Sequence, residues 1–415
     1  MLDPKFIRGN VDLVKCNQTR RGSDPQAVDE FCGVDTKVRE TKQQVDKLRQ
    51  EKNVVTENIN VKRKAGEDFR ADVALMRDLN TTLKEAETLY ETLTAQRETL
   101  LSSFGNILHA DVPAGKDDSE NVELRREGDC TKRIDHSHVD IIDKFGYADF
   151  TASAEASGHG FYYLKGGLAL MNQALIQYTV HKLSQKGYEY IEVPLMLRKN
   201  VLAAAVDTAE FDTTIYSVGD DMALIGTSEH GILAYHSDTL FAPDDLPKKY
   251  VSYSMCFRKE VGAHGINEKG LWRTHQFNKI EQFIFCKPDQ SDDLFFELLQ
   301  NTEELLKELG LPYRVLDLCT GDLSAWKQRS YDLEVWRPST GDFGEVASLS
   351  NCTDYQAREL NIKVQNGDGK DVVHTLNNTA IATSRIMVAI LEHYSDENGV
   401  NVPAVLQPYM GVDRI

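Results

Sequence analysis

No apolar run of roughly 18 residues, the least that spans a bilayer as a helix, occurs in this 415-residue chain. The opening Met1-Leu2-Asp3-Pro4-Lys5 has neither the apolar centre of a signal peptide nor the arginine-rich, acid-poor character of a transit segment, so the cytoplasm is the expected compartment, with no membrane partner. The seven cysteines, at 16, 32, 130, 256, 286, 319 and 352, form no C-x-x-C pair and are odd in number. That pattern favours reduced intracellular thiols and excludes a zinc ribbon. The G-x-G-x-x-G fingerprint and the P-loop are missing, which removes the usual parallel-sheet nucleotide signatures. Positive charge is scarce as well: 47 Lys+Arg stand against 65 Asp+Glu, a net −18, which argues against indiscriminate nucleic-acid binding.

The deficit is uneven. Residues 1–110 carry 18 basic and 18 acidic side chains, so the remainder holds the whole negative balance. Residues 36–64 hold nine basic and four acidic side chains, and a polyanion would dock there. The same stretch shows helical 3-4 spacing in Val34, Val38, Val45, Leu48, Val55 and Ile59, interrupted by Thr41 and Lys52. A second seam follows at Leu75, Leu79, Leu83, Ala86, Leu89, Leu93 and Leu100, after a hairpin tip at Lys64–Phe69. Matched seams predict an antiparallel coiled coil, each helix about 45 Å long for about 30 residues. Such a pair serves either as a dimerisation coil or as a strut against nucleic acid, and its basic excess favours the strut.

A boundary is predicted near 105–120, where Gly105, Pro113 and Gly115 meet the acidic run Asp117-Asp118-Ser119-Glu120. Beyond it a helix is expected over Gly166–Lys186, leading into a strand over Gly187–Pro194. Further strands are expected around 222–227, 250–258, 274–286, 313–319, 331–336 and 344–349, and helices around 290–309 and 380–394. Strands adjacent in sequence without regular β-α alternation point to an α+β domain, an antiparallel sheet flanked by helices.

Chemistry concentrates in Cys256-Phe257-Arg258-Lys259-Glu260 and in Arg273 to Phe283. Strand alternation puts Arg258 and Glu260 on one face, and Arg273, His275, Phe277, Lys279 and Glu281 on one face of a hairpin partner. Burying unpaired charges costs roughly several kcal/mol each, so this face suits a charged ligand better than a dry core. Arginine can clamp phosphate and an aromatic ring can stack on a base. The run F-R-x-E, a loop, then R-x-H-Q-F-x-K-x-E-Q-F resembles motif 2 of the class II aminoacyl-tRNA synthetases, and specifically the seryl-tRNA synthetases. The resemblance extends over nearly the whole chain. It covers an arm-bearing N-terminal domain (1–110, arm about 34–102) and a class II catalytic domain (111–415). Motif 1 falls at about 168–194, motif 2 at about 253–285 and motif 3 at about 374–394.

The resemblance implies residue roles. Thr227-Ser228-Glu229 resembles the family's serine-binding T-[AS]-E element; read from the residues alone it is a helix cap. Within Arg258-Lys259-Glu260 of the ATP site, Arg258 would hold the α-phosphate and steer the substrate carboxylate, and Glu260 would meet the adenine amino group. Arg273 would reach the terminal phosphates, Thr274 would lie near the nucleotide, and Phe277 would stack on adenine. Glu281 would meet the serine hydroxyl, whose absence from alanine would leave the carboxylate unpaired. Glu345-Val346-Ala347-Ser348 resembles the family's ATP-binding strand, with Glu345 and Ser348 holding Mg2+. The two are three apart, so a bulge or strand end is required to put them on one face. In motif 3, Asn377 and Thr379 would meet serine, and Arg385 would bind the γ-phosphate and lie over adenine. Arg258, Glu345 and Arg385 are the expected catalytic residues.

Two departures from the family pattern are visible. Asn378 stands where the family has a small residue, and the motif 2 loop Gly262–Gly270 lacks the usual arginines. The resemblance implies a zinc-free homodimer that activates L-serine with Mg-ATP and charges tRNA(Ser), held by the helical arm, and tRNA(Sec) where present. The alternatives are a homologue that charges a carrier protein and a non-catalytic binding protein.

Overall fold

The computed structural model describes residues 1–203, 213–260 and 270–415. The chain forms two compact units, Met1–Ile107 and Leu108–Ile415. Of the departures noted above, motif 2 loop residues 262–269 lie outside the described residues.

The first unit is a helical hairpin on a helical base. Helix α1 runs from Gln26 to Ala65 and α2 from Arg70 to Ser102, longer than the apolar seams alone indicate. At 1.5 Å per residue they span about 60 and about 50 Å. Gly66 ends α1 with φ 74°, a left-handed position a side chain would resist, and its N–H caps the Arg63 carbonyl. Val45, Leu83 and Ala86 fill the seam, with Leu48 and Tyr90 against them. Arg49–Glu87 at 2.8 Å and Lys62–Asp72 at 2.7 Å cross between the helices. At the base Phe31 meets Phe104 edge-on at 5.6 Å. The buried Asp35 carboxylate there is met by Arg8 at 2.8 Å, Arg39 at 3.1 Å and Arg97 at 3.7 Å.

The second unit is organised by eight strands: β1 (Val122–Glu127), β2 (Glu189–Tyr190), β3 (Lys248–Phe257), β4 (Gln276–Cys286), β5 (Tyr313–Asp317), β6 (Arg329–Arg337), β7 (Asp342–Thr353) and β8 (His374–Ala382). Their order across the sheet is β1-β5-β6-β7-β8-β4-β3-β2. Every pairing is antiparallel except β2 with β3, which is parallel. Helices α3 (Gly166–Gln185), α5 (Ser291–Glu308) and α6 (Thr383–Tyr394) share one core with the sheet, which includes Leu298, Ile284, Leu349, Leu376 and Ile386. The short α4 (Ser228–Tyr235) packs with Phe283, Phe285 and Tyr250.

Three expectations change. The segment Gly187–Pro194 is strand only at Glu189–Tyr190, because it pairs with β3 for two residues and then turns away. The residues before Thr383 are not helical: His374–Ala382 is a strand held between β4 and β7, a tertiary pairing that overrides local pattern. Strand pairing of β3 ends at Phe257, so Arg258 and Glu260 do not simply alternate; Glu260 has φ 48°.

Candidate active site

Along β4, Phe277, Lys279, Glu281, Phe283 and Phe285 point to one face. The apolar end, Phe283 and Phe285, is covered by α4 and its neighbours. The charged end floors an open cleft of two lobes, about 530 and 990 Å³, that share Arg258, Lys279, Glu345 and Thr379. Even-numbered neighbours face the helices: Gln282 donates to the Thr302 hydroxyl of α5 at 3.1 Å.

One lobe is a cationic slot with an aromatic wall. Arg258, Glu260, Arg273, Thr274, Phe277, Val346 and Arg385 line it. The Arg258 guanidinium lies 5.3 Å from the Phe277 ring centre, and its Nε donates to the Gly226 carbonyl at 3.3 Å. Arg273 reaches Glu260 at 3.0 Å. Arg385 donates through Nη1 to the Glu345 carbonyl oxygen at 2.7 Å and to its carboxylate at 3.2 Å, and lies 5.5 Å from the Trp272 ring.

The other lobe holds carboxylates. Thr227, Glu229, Glu281, Ser348, Asn377 and Thr379 line it, with His230, Trp326 and Lys327. Thr227 is the N-cap of α4, accepting from the Glu229 N–H at 3.3 Å, so the cap also places Glu229 in the cleft. Gln356 and Asn377 donate to Glu229 Oε1 at 2.7 and 3.2 Å. Burial and then the charge of Glu281 push the Glu229 carboxyl up to about 7. Lys279 pairs with Glu281 at 2.7 Å, and the Thr379 hydroxyl donates to it at 3.2 Å. Burial, with the positive charges of Lys279 and Arg258, drives His230 down to about 3, so it is neutral.

Two bulges build this lobe. Between β4 and β8, Ile280 faces Ile381 but Glu281 faces Thr379, which skips Ala380 and sets Thr379 opposite Glu281. Between β6 and β7, Leu333 faces Ala347 but Glu334 faces Glu345. That shift puts Glu345 and Ser348 on one face, as a shared ion requires. Burial raises the Glu345 carboxyl, but Arg385, Arg258 and Lys327 together hold it below the ordinary carboxylate range. Asp332, opposite Ser348, is pushed up to about 7 by burial and by Glu345. Its Oδ1 is sealed from solvent without a hydrogen-bond partner. These hard oxygen donors suit Mg2+.

Three candidates stand outside the cleft. The Ser228 hydroxyl points into the sheet, 3.4 Å from the Ser252 carbonyl that accepts from it. Ala347 packs in the core. Lys259 is tied to the Thr214 carbonyl through its backbone N–H and lines neither lobe. Sequence reasoning gave no role to Lys279, His230, Lys327, Asp332, Gln356 or Trp272. Lys279 lay on the alternating face and was detectable there; Gln356 reaches Glu229 from 127 residues away and left no local signal.

Residues 211–394 match the tRNA synthetase class II core domain (G, H, P, S and T), and residues 1–108 match the seryl-tRNA synthetase N-terminal domain. The serine–tRNA ligase of Methanoculleus marisnigri is 44% identical over 419 residues, spanning 99% of both chains. The chain belongs to the seryl-tRNA synthetase family. The serine–tRNA ligases of Methanoregula boonei, 42% identical over 99% of both chains, and Picrophilus torridus, 39% identical over 100% of this chain and 99% of its own, are similar too. Among solved structures, seryl-tRNA synthetase from Pyrococcus horikoshii complexed with ATP is 37% identical, with a TM-score of 0.90 over 100% of this chain and 99% of its own. The cytoplasmic serine–tRNA ligase of Naegleria fowleri in complex with AMP is 33% identical, with a TM-score of 0.88 over 100% and 98%. As a seryl-tRNA synthetase, the chain is a class II aminoacyl-tRNA ligase with an N-terminal helical arm.

Proposed function

We propose that the cationic lobe binds ATP and the carboxylate lobe binds L-serine, with Arg258 at their junction. The observation that carries this is the shared wall of the two lobes, where Arg258 can reach both an α-phosphate and a substrate carboxylate. Serine's ammonium goes to Glu229 and its hydroxyl to Glu281, with Asn377 and Thr379 completing the pocket and Thr227 setting the helix that carries Glu229. Phe277 stacks on adenine, Glu260 meets its amino group, Thr274 lies beside the nucleotide, and Arg273 and Arg385 take the outer phosphates.

Serine's carboxylate oxygen attacks the α-phosphorus, the bond to pyrophosphate breaks, and seryl-adenylate forms. A terminal ribose hydroxyl of tRNA(Ser), or tRNA(Sec) where present, then attacks the seryl carbonyl; the bond from that carbonyl to the adenylate phosphate oxygen breaks, and AMP and the hydroxyl proton leave. No side chain is assigned as a general base; this chain contributes alignment and fixed positive charge, which are worth most as charge develops. Glu345 and Ser348 would hold Mg2+, which when bound neutralises phosphate charge. The metal assigned here is Mg2+ and not zinc, because its two donors, the Glu345 carboxylate and the Ser348 hydroxyl, are hard oxygens.

The domain limits 1–110 and 111–415 divide tRNA capture from catalysis. Capture of tRNA by the arm is supported by the exposed Lys37, Arg39, Lys42, Lys47, Arg49, Arg63 and Lys64 on α1. A homodimer is supported by Leu170 and Tyr190 of motif 1, with Leu195 and Met196 just after it, large apolar residues left at the surface. A cytoplasmic location is consistent with the absence, among the described residues, of any helix long and apolar enough to cross a membrane.

The test is charging of radiolabelled serine onto total tRNA, with threonine and alanine as controls. Serine-only charging that falls by more than about 100-fold in Arg258→Ala supports the reading. Unchanged charging in that variant removes Arg258 from the phosphate site.

A further inference from the structure

The Mg2+ reading uses Glu345 and Ser348 and leaves the carboxylate beside them without a task. Asp332 stands directly across the β6–β7 pair from Ser348 and interacts with its hydroxyl. Glu345 joins the same face only because of the bulge. Lys327 places its Nζ 3.3 Å from Ser348 Oγ and 3.3 Å from Ser330 Oγ. An ammonium only donates, so Ser348 accepts from a cation on its cleft side.

A serine hydroxyl has one proton and two lone pairs. It can ligate a cation only if that proton points away. The lone pair towards Lys327 is already in use as an acceptor, and the carboxylate across the strand pair is placed to take the proton. A carboxylate in that position both fixes the hydroxyl rotor and makes the oxygen a stronger donor, as outer-shell partners do at metal sites. Asp332 Oδ1 is shut off from water and has no other hydrogen-bond partner, so it is free to take that proton.

We propose that Asp332 is a positioning residue of the cation site, accepting the Ser348 hydroxyl proton so that the Ser348 lone pairs face the divalent ion. Lys327 holds the ion's place on Ser348 until the ion arrives. The inference rests on the reading that Glu345 and Ser348 hold the metal, and the experiment separates the two.

The measurement is the Mn2+ affinity of the full-length protein in complex with a non-hydrolysable ATP analogue, read by water-proton relaxation enhancement. Ser348→Ala and Glu345→Gln test the underlying site: if neither weakens Mn2+ binding, the metal reading itself fails. With those two weakened, Asp332→Ala, which leaves no acceptor, is expected to raise the Mn2+ concentration for half-saturation about tenfold or more. Added to Ser348→Ala, it is expected to change nothing further. Wild-type affinity in Asp332→Ala, or the same loss on top of Ser348→Ala, overturns the proposal and leaves the metal site standing. Melting curves accompany each variant. If Asp332→Ala melts below the assay temperature, Asp332→Val is read by the same two criteria.

Discussion

Lys279 and Glu281 project from the same face of one strand and close a 2.7 Å ion pair, with side chains 8% and 2% exposed. The pair is the floor of the carboxylate lobe, where the Lys279 ammonium acts on both Glu281 and Glu229. Removing one partner of a buried pair strands the other charge, at about 3 kcal/mol or more. Lys279→Met is therefore expected to lower stability by about 3 kcal/mol in urea unfolding and to raise the KM for serine. Adding Glu281→Gln is expected to restore much of the stability but not the serine KM. Full activity in Lys279→Met would mean that the pair is structural only.

Serine binding is expected to be pH-dependent through Glu229. Burial and Glu281 raise its carboxyl to about 7, so it loses its charge as pH falls through neutrality. An ammonium binds the charged form, so serine affinity in the absence of nucleotide is expected to fall about tenfold from pH 8 to pH 6. Calorimetry on Glu229→Gln should show weaker binding with that slope gone. The linkage to stability has the opposite sense. The folded state holds the proton more tightly, so this group favours the folded state below its unfolded value of 4.5, and that contribution is lost as pH rises to about 7.

Glu392 on α6 is fully buried and ends a polar network under the cationic lobe. Arg337 reaches it at 3.2 Å, the Ser339 hydroxyl at 2.7 Å, and His138 Nδ1 lies 3.5 Å away. Arg337 in turn lies 4.2 Å from the Trp272 ring that borders Arg385. Burial opposes its charge, but His138, Arg337 and Ser339 outweigh it and hold the carboxyl at about 2. A depressed carboxyl stabilises above its unfolded value of 4.5, and the contribution is lost as pH falls through about 2. The difference corresponds to about 3 kcal/mol. Glu392→Gln should lower unfolding free energy at pH 7 by about that amount and flatten its decline between pH 4.5 and 2. An unchanged acid profile would contradict this account.

Asn378 occupies a position where the family resemblance suggests a small residue. Its side chain is buried on the helix side, donating to the Leu298 carbonyl at 2.8 Å and the Thr302 hydroxyl at 2.9 Å. Asn378→Ala removes both bonds, while the Thr302 hydroxyl keeps the bond it accepts from Gln282, a loss of about 1–2 kcal/mol. Serine and ATP KM values should stay within about twofold, because neighbouring Asn377, not Asn378, points into the cleft. A large KM change would show that the strand transmits strain to the pocket.

Much of this was legible because it is local. The arm shows in the repeat of Val45, Leu83 and Ala86, which needs only helical periodicity and a partner helix. The charged face of β4 shows in its alternation, since a strand must put Lys279 and Glu281 on one side. Thr227 reads as a helix cap from its residue type, and a cap it is.

What the sequence determined by itself was the inventory: a helical arm, a strand with a charged face, and the residues able to grip phosphate, ammonium and a divalent ion. Which of them meet was decided by tertiary structure. Bulges at Val346 and Ala380 turn Glu345 towards Ser348 and set Thr379 against Glu281. Ser228 turns towards Ser252 and Ala347 into the core. Gln356 crosses 127 residues of chain to reach Glu229. A one-residue slip in strand pairing exchanges the two faces of a sheet. That register is set by packing between distant segments, and no local pattern of residues encodes it.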